Sequence, residues 1–367
     1  MLARKLFTVK RNLLITLTIF ITASLTGYYL YNQPNIPLLS PLLRQTAPPD
    51  LTNKLNQKLS SPPELDYQAV STPEGTPKYV SYLLYQPRTG RVYASNNEDI
   101  RLSPASFTKL MTAMVALDIA LPTQLLSATK ETIDKEPTIL GLKENEQLSI
   151  LELIRGAIST SANDAAATLA EGTASIYGQD TDYFIFLMNQ KAQLMSLKDT
   201  HFQNPEGYDD HNQYSTLEDL STLIHNVQQN YPDIADAGSA DREDLAATST
   251  HGFYYLPNWN GLLNIYPGVT GLKIAYTENA SYSTIITATR EDAPINLILI
   301  GAKSIKERDQ LAASLLDFAY QKEKIKAARI TEKDLQKKYD QWKELAEKIK
   351  AELAALEASK SSLQNEP

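Results

Sequence analysis

Cysteine is missing from the whole 367-residue chain. A disulfide scaffold, a thiolate-ligated zinc and a cysteine nucleophile are therefore excluded, although an exported protein can lack cysteine, so this leaves the compartment open. Histidine is nearly as scarce. His201, His211, His225 and His251 are the full set, and no two have the spacing that puts a pair of ligands on one helix face, so no metal or other cofactor is expected. The chain has no Gly-x-Ser-x-Gly elbow and no phosphate-binding glycine loop, which removes two further classes of active site. Positive charge is in deficit: 35 Lys and Arg face 43 Asp and Glu, a net charge of −8. That balance disfavours nucleic acid as a partner.

Apolar runs long enough to cross a bilayer are also absent, with one exception. Arg4, Lys5, Lys10 and Arg11 precede the uncharged run Leu13–Tyr31, and charge returns only at Arg44. About 20 apolar residues span a membrane as a helix. Basic residues before the run and none just after it orient the N-terminus to the cytoplasm. Tyr28, Tyr29 and Tyr31 fall where an interfacial aromatic belt would lie. A cleaved signal peptide, cut after small residues such as Ser24 and Thr26, would carry an apolar region of only about 7–15 residues. The longer run favours an uncleaved anchor over residues 1–31. Either way, the remaining chain is expected outside the cytoplasmic membrane. Residues 32–76 hold Pro34, Pro37, Pro41, Pro48, Pro49, Pro62, Pro63 and Pro73. They read as a linker, with at most a short helix over Asp50–Leu59. At ~3 Å per residue its extended limit is on the order of 100 Å.

A folded domain is expected over residues 77–325. "YVSYLLYQPRTGRVYAS" shows two β-rich runs joined by Pro87-Arg88-Thr89-Gly90, a hairpin signature. A helical region follows through about Ile224, with Ser149 and Glu152 in a capping-box pattern. The runs "GFYYLP", "GLKIAYT", "YSTIITATR" and "INLILIGA" return to strand character, and Ser304 with Glu307 caps a last helix. Hairpin links among the late strands favour a largely antiparallel sheet in an α+β arrangement. Residues 330–362 then read as an amphipathic helix. Leu335, Tyr339, Trp342, Ala346, Ile349, Leu353 and Leu356 alternate steps of four and three, a heptad seam. Three heptads are close to the minimum for a coiled coil, so self-association stands beside packing on the chain's own domain or on a membrane surface.

Three places carry chemistry. In "SPASFTKLM", Ser106 and Lys109 are three apart at a helix start, and such residues share a face with Cβ atoms ~5–6 Å apart. Unsatisfied N–H groups there suit an oxyanion. A lysine buried under Leu110, Met111, Met114 and Val115 loses its charge more easily and can serve as a base. In "STSANDAAATLAE", Ser161 and Asn163 are two apart before an alanine-rich helix, close enough to reach one cleft if the link is extended. The plain alternative is that Asn163 caps the helix while Asp164 complements its dipole. In "GVTGLKIAYT", Lys273 lies on a strand, where the plain alternative is a solvent-facing lysine at a sheet edge. Taken alone, Ser-x-x-Lys is weak, because it arises by chance in chains of this length.

Order adds the specificity: Ser-x-x-Lys, then Ser-x-Asn about 50 residues on, then a strand lysine roughly 110 further. With the flanks "PASFTKLMTAMVALD", "GLKENEQLSILELIRGAISTSANDAAATLAE" and "LILIGAKSIKERDQLAASLLDFAY", the chain from Val80 to Tyr320 resembles the D-alanyl-D-alanine carboxypeptidases of the low-molecular-mass penicillin-binding protein group, serine peptidase family S11. The resemblance implies a β-lactamase/transpeptidase-like fold, an antiparallel sheet flanked by helices plus a helical lobe. It implies peptidoglycan stem peptides as substrates and β-lactams as acylating inhibitors. Ser106 would attack the carbonyl between two D-alanines, Lys109 would take its proton, and Ser161 would relay a proton to the leaving D-alanine. Asn163 would hold the substrate amide, and Lys273 would lie near Ser161 and the terminal carboxylate. The N–H groups of Ser106 and Tyr276 would form the oxyanion hole. One departure stands out: the family's Lys-Thr-Gly is Lys273-Ile274-Ala275 here, which removes a hydroxyl that would bind the carboxylate. A weakened carboxypeptidase is the expectation. A binding-only relative that recognises stems without turning them over, and a β-lactamase, are the alternatives; no clear Glu-x-x-Leu-Asn loop is present for the latter.

Overall fold

The computed structural model of the protein describes residues 48–364, so the membrane segment expected at residues 1–31 lies outside the described residues. Among these, no helix is long and apolar enough to cross a membrane. The centre of the domain is a five-stranded antiparallel sheet in the order β2-β1-β9-β8-β7. In chain order, β1 is Ser81–Tyr85, β2 Val92–Asn96, β3 Leu125–Ser127, β4 Gln147–Ser149, β5 Arg242–Leu245, β6 Tyr254–Pro257, β7 Val269–Ala275, β8 Tyr282–Arg290 and β9 Ala293–Ala302. β3 with β4 and β5 with β6 make two small separate ribbons. The β1–β2 hairpin closes at Gly90, whose φ of +76° and contact with the Glu64 carbonyl leave no room for a Cβ.

Side-chain alternation gives the sheet two apolar faces. Leu83, Tyr85, Ile285, Ile298 and Ile300 face the larger core, while Tyr82, Leu84, Ile286, Leu297 and Leu299 face the smaller one. The helix Ile305–Lys322 covers the smaller core through Ala312, Leu316 and Tyr320. The larger core is shared with a helical lobe. At its centre lies the helix Thr108–Ile119, buried at every residue except Asp118. A helix apolar on all sides belongs in the middle of a bundle, and here it packs on the helices Asn163–Ser175 and Thr181–Leu194. Local signals set the boundaries. Ser149 and Glu152 form both bonds of a capping box, Ser304 accepts from the Glu307 N–H, and Thr216 accepts from the Asp219 N–H.

One stretch differs from expectation, and a second takes one of the courses left open for it. From Pro49 onward, the proline-rich segment expected to be a linker packs against the domain. Leu51 and Leu55, on the short helix Thr52–Leu55 and its N-cap, enter the larger core. The Leu55 carbonyl accepts from Lys191 Nζ, the Ser60 amide bonds Asn226, and Tyr67 donates to Glu218. The reason is tertiary: two leucines four residues apart form a stripe that the lobe buries. The C-terminal helix Glu332–Gln364 begins by lying on its own domain. Leu335 is buried in the smaller core, Tyr339 donates to Asp309, Trp342 meets Trp259 edge-on, and Lys338 pairs with Asp241. The first positions of the heptad seam are thus occupied within the chain.

Candidate active site

Ser106 sits in a single 3-10 turn, Ala105–Phe107, that runs straight into the helix of Lys109. Ala105 has φ of +46°, an uncommon conformation for a residue with a Cβ, so the backbone before Ser106 is held in a strained bend. Gly207 presses on that bend. A Cβ on it would stand 2.0 Å from the Ala105 carbonyl oxygen and 3.0 Å from the Ser106 nitrogen, so only glycine fits there.

Lys109 is fully buried. Its Nζ lies 2.9 Å from Ser106 Oγ and 2.7 Å from Asn163 Oδ1, and it also donates to the Glu206 carbonyl. Burial pulls this amine down to about 7, against the upward pull of the Glu206 and Asp164 carboxylates. The geometry serves either form, since an ammonium can donate to all three oxygens, and it is burial that favours the neutral amine. Two N–H bonds can go to Asn163 and Glu206, and the nitrogen lone pair is left to accept the Ser106 O–H.

Asn163 is tied at both ends. Its Nδ2 donates to the Glu136 carbonyl at 2.7 Å, its Oδ1 accepts from Lys109, and its backbone N–H donates to the Thr138 carbonyl. It does not cap its helix: the N-cap is Ala162, without a side-chain bond. Asp164 instead accepts three consecutive N–H groups, from Leu140, Gly141 and Leu142, and so pins the loop that supplies the Glu136 carbonyl. Ser161 precedes this helix at the end of a π-helical turn, in a left-handed conformation with φ of +66°, and is almost fully buried. Ala162, the residue that links it to Asn163, is extended, with φ of −68° and ψ of 129°.

Lys273 lies on β7, an edge strand of the sheet that packs against the turn bearing Ser106. It is buried, not solvent-facing, and donates to the Ile274 carbonyl at 3.0 Å. Burial, and then the neighbouring charge of Lys109, hold its amine well below the ordinary lysine range. Tyr276 follows the last paired residue of the strand, with its side chain 53% exposed and its ring against Tyr282. The structure thus joins Ser106, Lys109 and Asn163 by hydrogen bonds, sets Lys273 within electrostatic range of them, and leaves the Tyr276 ring at the strand end.

The polar segment "NPEGYDDH", residues 204–211, carries no motif that marks it as part of the site. The carboxylates disperse. Asp209 accepts from Ser103 and Asp210 lies beside the exposed His211. Glu206, however, is 3% exposed and its backbone touches Lys109. Tyr208 donates to the Glu136 carbonyl that also holds Asn163. These contacts run through backbone oxygens, which leave no mark in a sequence.

The chain is 30% identical over 245 residues to D-alanyl-D-alanine carboxypeptidase DacF of Bacillus subtilis, an alignment covering 65% of this chain and 61% of that protein. It spans about three fifths of the length of the curated relatives it matches, 61% and 60% for two of them. Among solved structures, penicillin binding protein 5 from Haemophilus influenzae superposes with a TM-score of 0.61 at 26% identity, covering 68% of this chain and 73% of that one. The Streptomyces K15 DD-transpeptidase superposes with a TM-score of 0.63 at 24% identity, covering 68% of this chain and all of that one, and bears on the fold alone. The family model described as Peptidase_S11, D-alanyl-D-alanine carboxypeptidase, matches residues 68–304, and the chain belongs to that family.

Proposed function

We propose that this protein is a serine-type D-Ala-D-Ala carboxypeptidase that trims peptidoglycan stem peptides through an acyl-enzyme. The observation that carries the reading is the buried Lys109 amine, 2.9 Å from Ser106 Oγ and drawn down to about 7, in a chain of this family. A base near neutrality is matched to its task.

In this reading Ser106 Oγ attacks the carbonyl between the two D-alanines and its proton passes to Lys109. The N–H groups of Ser106 and Tyr276 receive the oxyanion. The C–N bond breaks as Ser161 relays a proton to the leaving D-alanine amine, and Ser106 keeps the acyl group until water releases it. Lys273 lies beside Ser161 and the terminal carboxylate, whose charge would favour the ammonium form of its amine once the substrate is bound. Asn163 holds the substrate amide with the donor and acceptor capacity that Lys109 and Glu136 leave to it. β7 presents a free edge along which an extended peptide could add as a strand. The same serine would be acylated by β-lactams. The chemistry as proposed draws on no metal. The run Leu13–Tyr31 would anchor the chain in the bacterial membrane with the domain on the extracytoplasmic side, and the C-terminal helix would self-associate only through positions that its own domain leaves open.

A fluorescent penicillin tests the reading on the purified domain. A stable adduct in the wild type that disappears in Ser106→Ala supports it. Rapid release of the label would indicate a β-lactamase, and no labelling at any pH would indicate a relative that binds stems without turning them over.

A further inference from the structure

Glu206 is a carboxylate buried beside the proposed base, and the mechanism above gives its side chain no part. Its relative exposure is 3%, and it meets a cation from another element: Lys135 Nζ stands 2.9 Å from Glu206 Oε1. Lys135 follows the short helix Lys130–Ile133, next to the Glu136 carbonyl that holds Asn163. Glu206 thus holds Lys135 through its carboxylate and Lys109 through its backbone carbonyl.

The charged groups around Lys109 can be named element by element. Glu206 comes from the loop before Gly207, with Lys135 behind it. Asp164 comes from the helix Asn163–Ser175, neutralised in part by three backbone N–H groups. Lys273 comes from β7 and opposes any charge on Lys109. Tyr208 follows in the same loop as Glu206, its hydroxyl pushed up to about 12 by burial and then by Glu206. It stays neutral in the working range. Of the two carboxylates, Glu206 is the one whose charge is bridged to a partly exposed lysine, so its field at Lys109 depends on whether that lysine is in place.

We propose that Glu206, held by Lys135, is an electrostatic positioning residue that sets the pH at which Lys109 becomes a free base. A carboxylate beside the amine favours its ammonium form, and a cation behind the carboxylate weakens that effect. The two partners therefore act in opposite directions. Removing Glu206 should let Lys109 shed its proton at lower pH, and removing Lys135 should delay the loss to higher pH.

The inference rests on the acyl-enzyme reading, and the test keeps the two apart. The rate of acylation by a fluorescent penicillin is followed from pH 5 to 10 in wild type, Glu206→Gln and Lys135→Gln, each compared with its own alkaline plateau. The acid limb is expected to fall on the order of 1 pH unit in Glu206→Gln and to rise by a smaller amount in Lys135→Gln. Lys135 is partly exposed, so its variant remains informative if Glu206→Gln fails to fold. Unchanged limbs, or limbs that move the same way in both variants, would overturn the inference, because a purely structural clamp would lower both plateaus without opposite shifts. A wild type that takes no label at any pH would overturn the acyl-enzyme reading, and this inference with it.

Discussion

If the protein acts as proposed, replacing Ile274 by threonine should raise the rate at which it releases D-alanine. Ile274 lies on β7, which among the described residues bonds only β8 in the sheet, directly after Lys273 and before the buried Ala275. Its half-buried side chain offers a substrate carboxylate no donor. A hydroxyl at this position would add one hydrogen bond to a charged group, worth about 1.5–3 kcal/mol. At about 1.4 kcal/mol per decade this is roughly a ten- to hundredfold gain in kcat/KM. The cost to the fold is small. Both residues are β-branched and suit a strand, and exchanging a partly buried two-carbon arm for a hydroxyl costs ~1 kcal/mol. The assay is D-alanine release from a pentapeptide ending in D-Ala-D-Ala, measured beside the same peptide with its terminal carboxyl converted to an amide. The gain should appear with the free carboxylate and vanish with the amide. Equal or lower release by a variant that keeps the wild-type Tm would refute the reasoning, and an equal gain on both peptides would show that the hydroxyl acts on something other than the carboxylate.

Other consequences follow from the buried charges and from the C-terminal helix. Lys109 binds its proton less tightly in the folded than in the unfolded chain, so the unfolded state holds more protons between about 7 and the ordinary lysine value, and stability should rise with pH across that window; urea midpoints should show the slope in wild type and a weaker one in Lys109→Met, which should also fail to take up penicillin. Lys191 and Asp118 form a fully buried pair at 2.6 Å, in which burial pushes Asp118 up and Lys191 down. Lys191→Met should therefore destabilise by about 3–5 kcal/mol and, by removing the donor to the Leu55 carbonyl, speed proteolysis in residues 49–60. Trp342→Ala should lower the Tm by loosening the Trp259 contact while leaving penicillin acylation unchanged; an unaltered Tm would show that the helix does not rest on the domain in solution.

The fold was legible wherever one physical signal dominated. Strands β7, β8 and β9 announce themselves by β-branched runs, and the Pro87–Gly90 turn by a glycine that must take positive φ. β5 does not, because Arg242–Leu245 is charged and owes its extension to pairing with β6. The segment from Pro49 reads as a linker because proline count outweighs a stripe of only two leucines. What overrides the composition is a set of distant partners: Lys58 donates to the Leu117 carbonyl, Tyr183 to the Pro49 carbonyl, and Lys191 to that of Leu55. None of these pairings has a local signature.

The candidate site divides along the same line. Spacing alone places Ser106 and Lys109 on one helix face, and burial of that face follows from the run of apolar residues after it. What makes the lysine a credible base is invisible at that level. Its second and third hydrogen-bond partners are an asparagine 54 positions away and a carbonyl 97 positions away, and the asparagine is itself aimed by the Glu136 carbonyl. With three acceptors around one nitrogen, a neutral amine can satisfy only two as a donor and must take the third contact through its lone pair. Among the three, Ser106 Oγ alone carries a proton to give. Once burial has taken its proton, Lys109 would stand ready to receive that of Ser106, and the distant segments that hold its other two contacts position it as firmly as the three-residue spacing does.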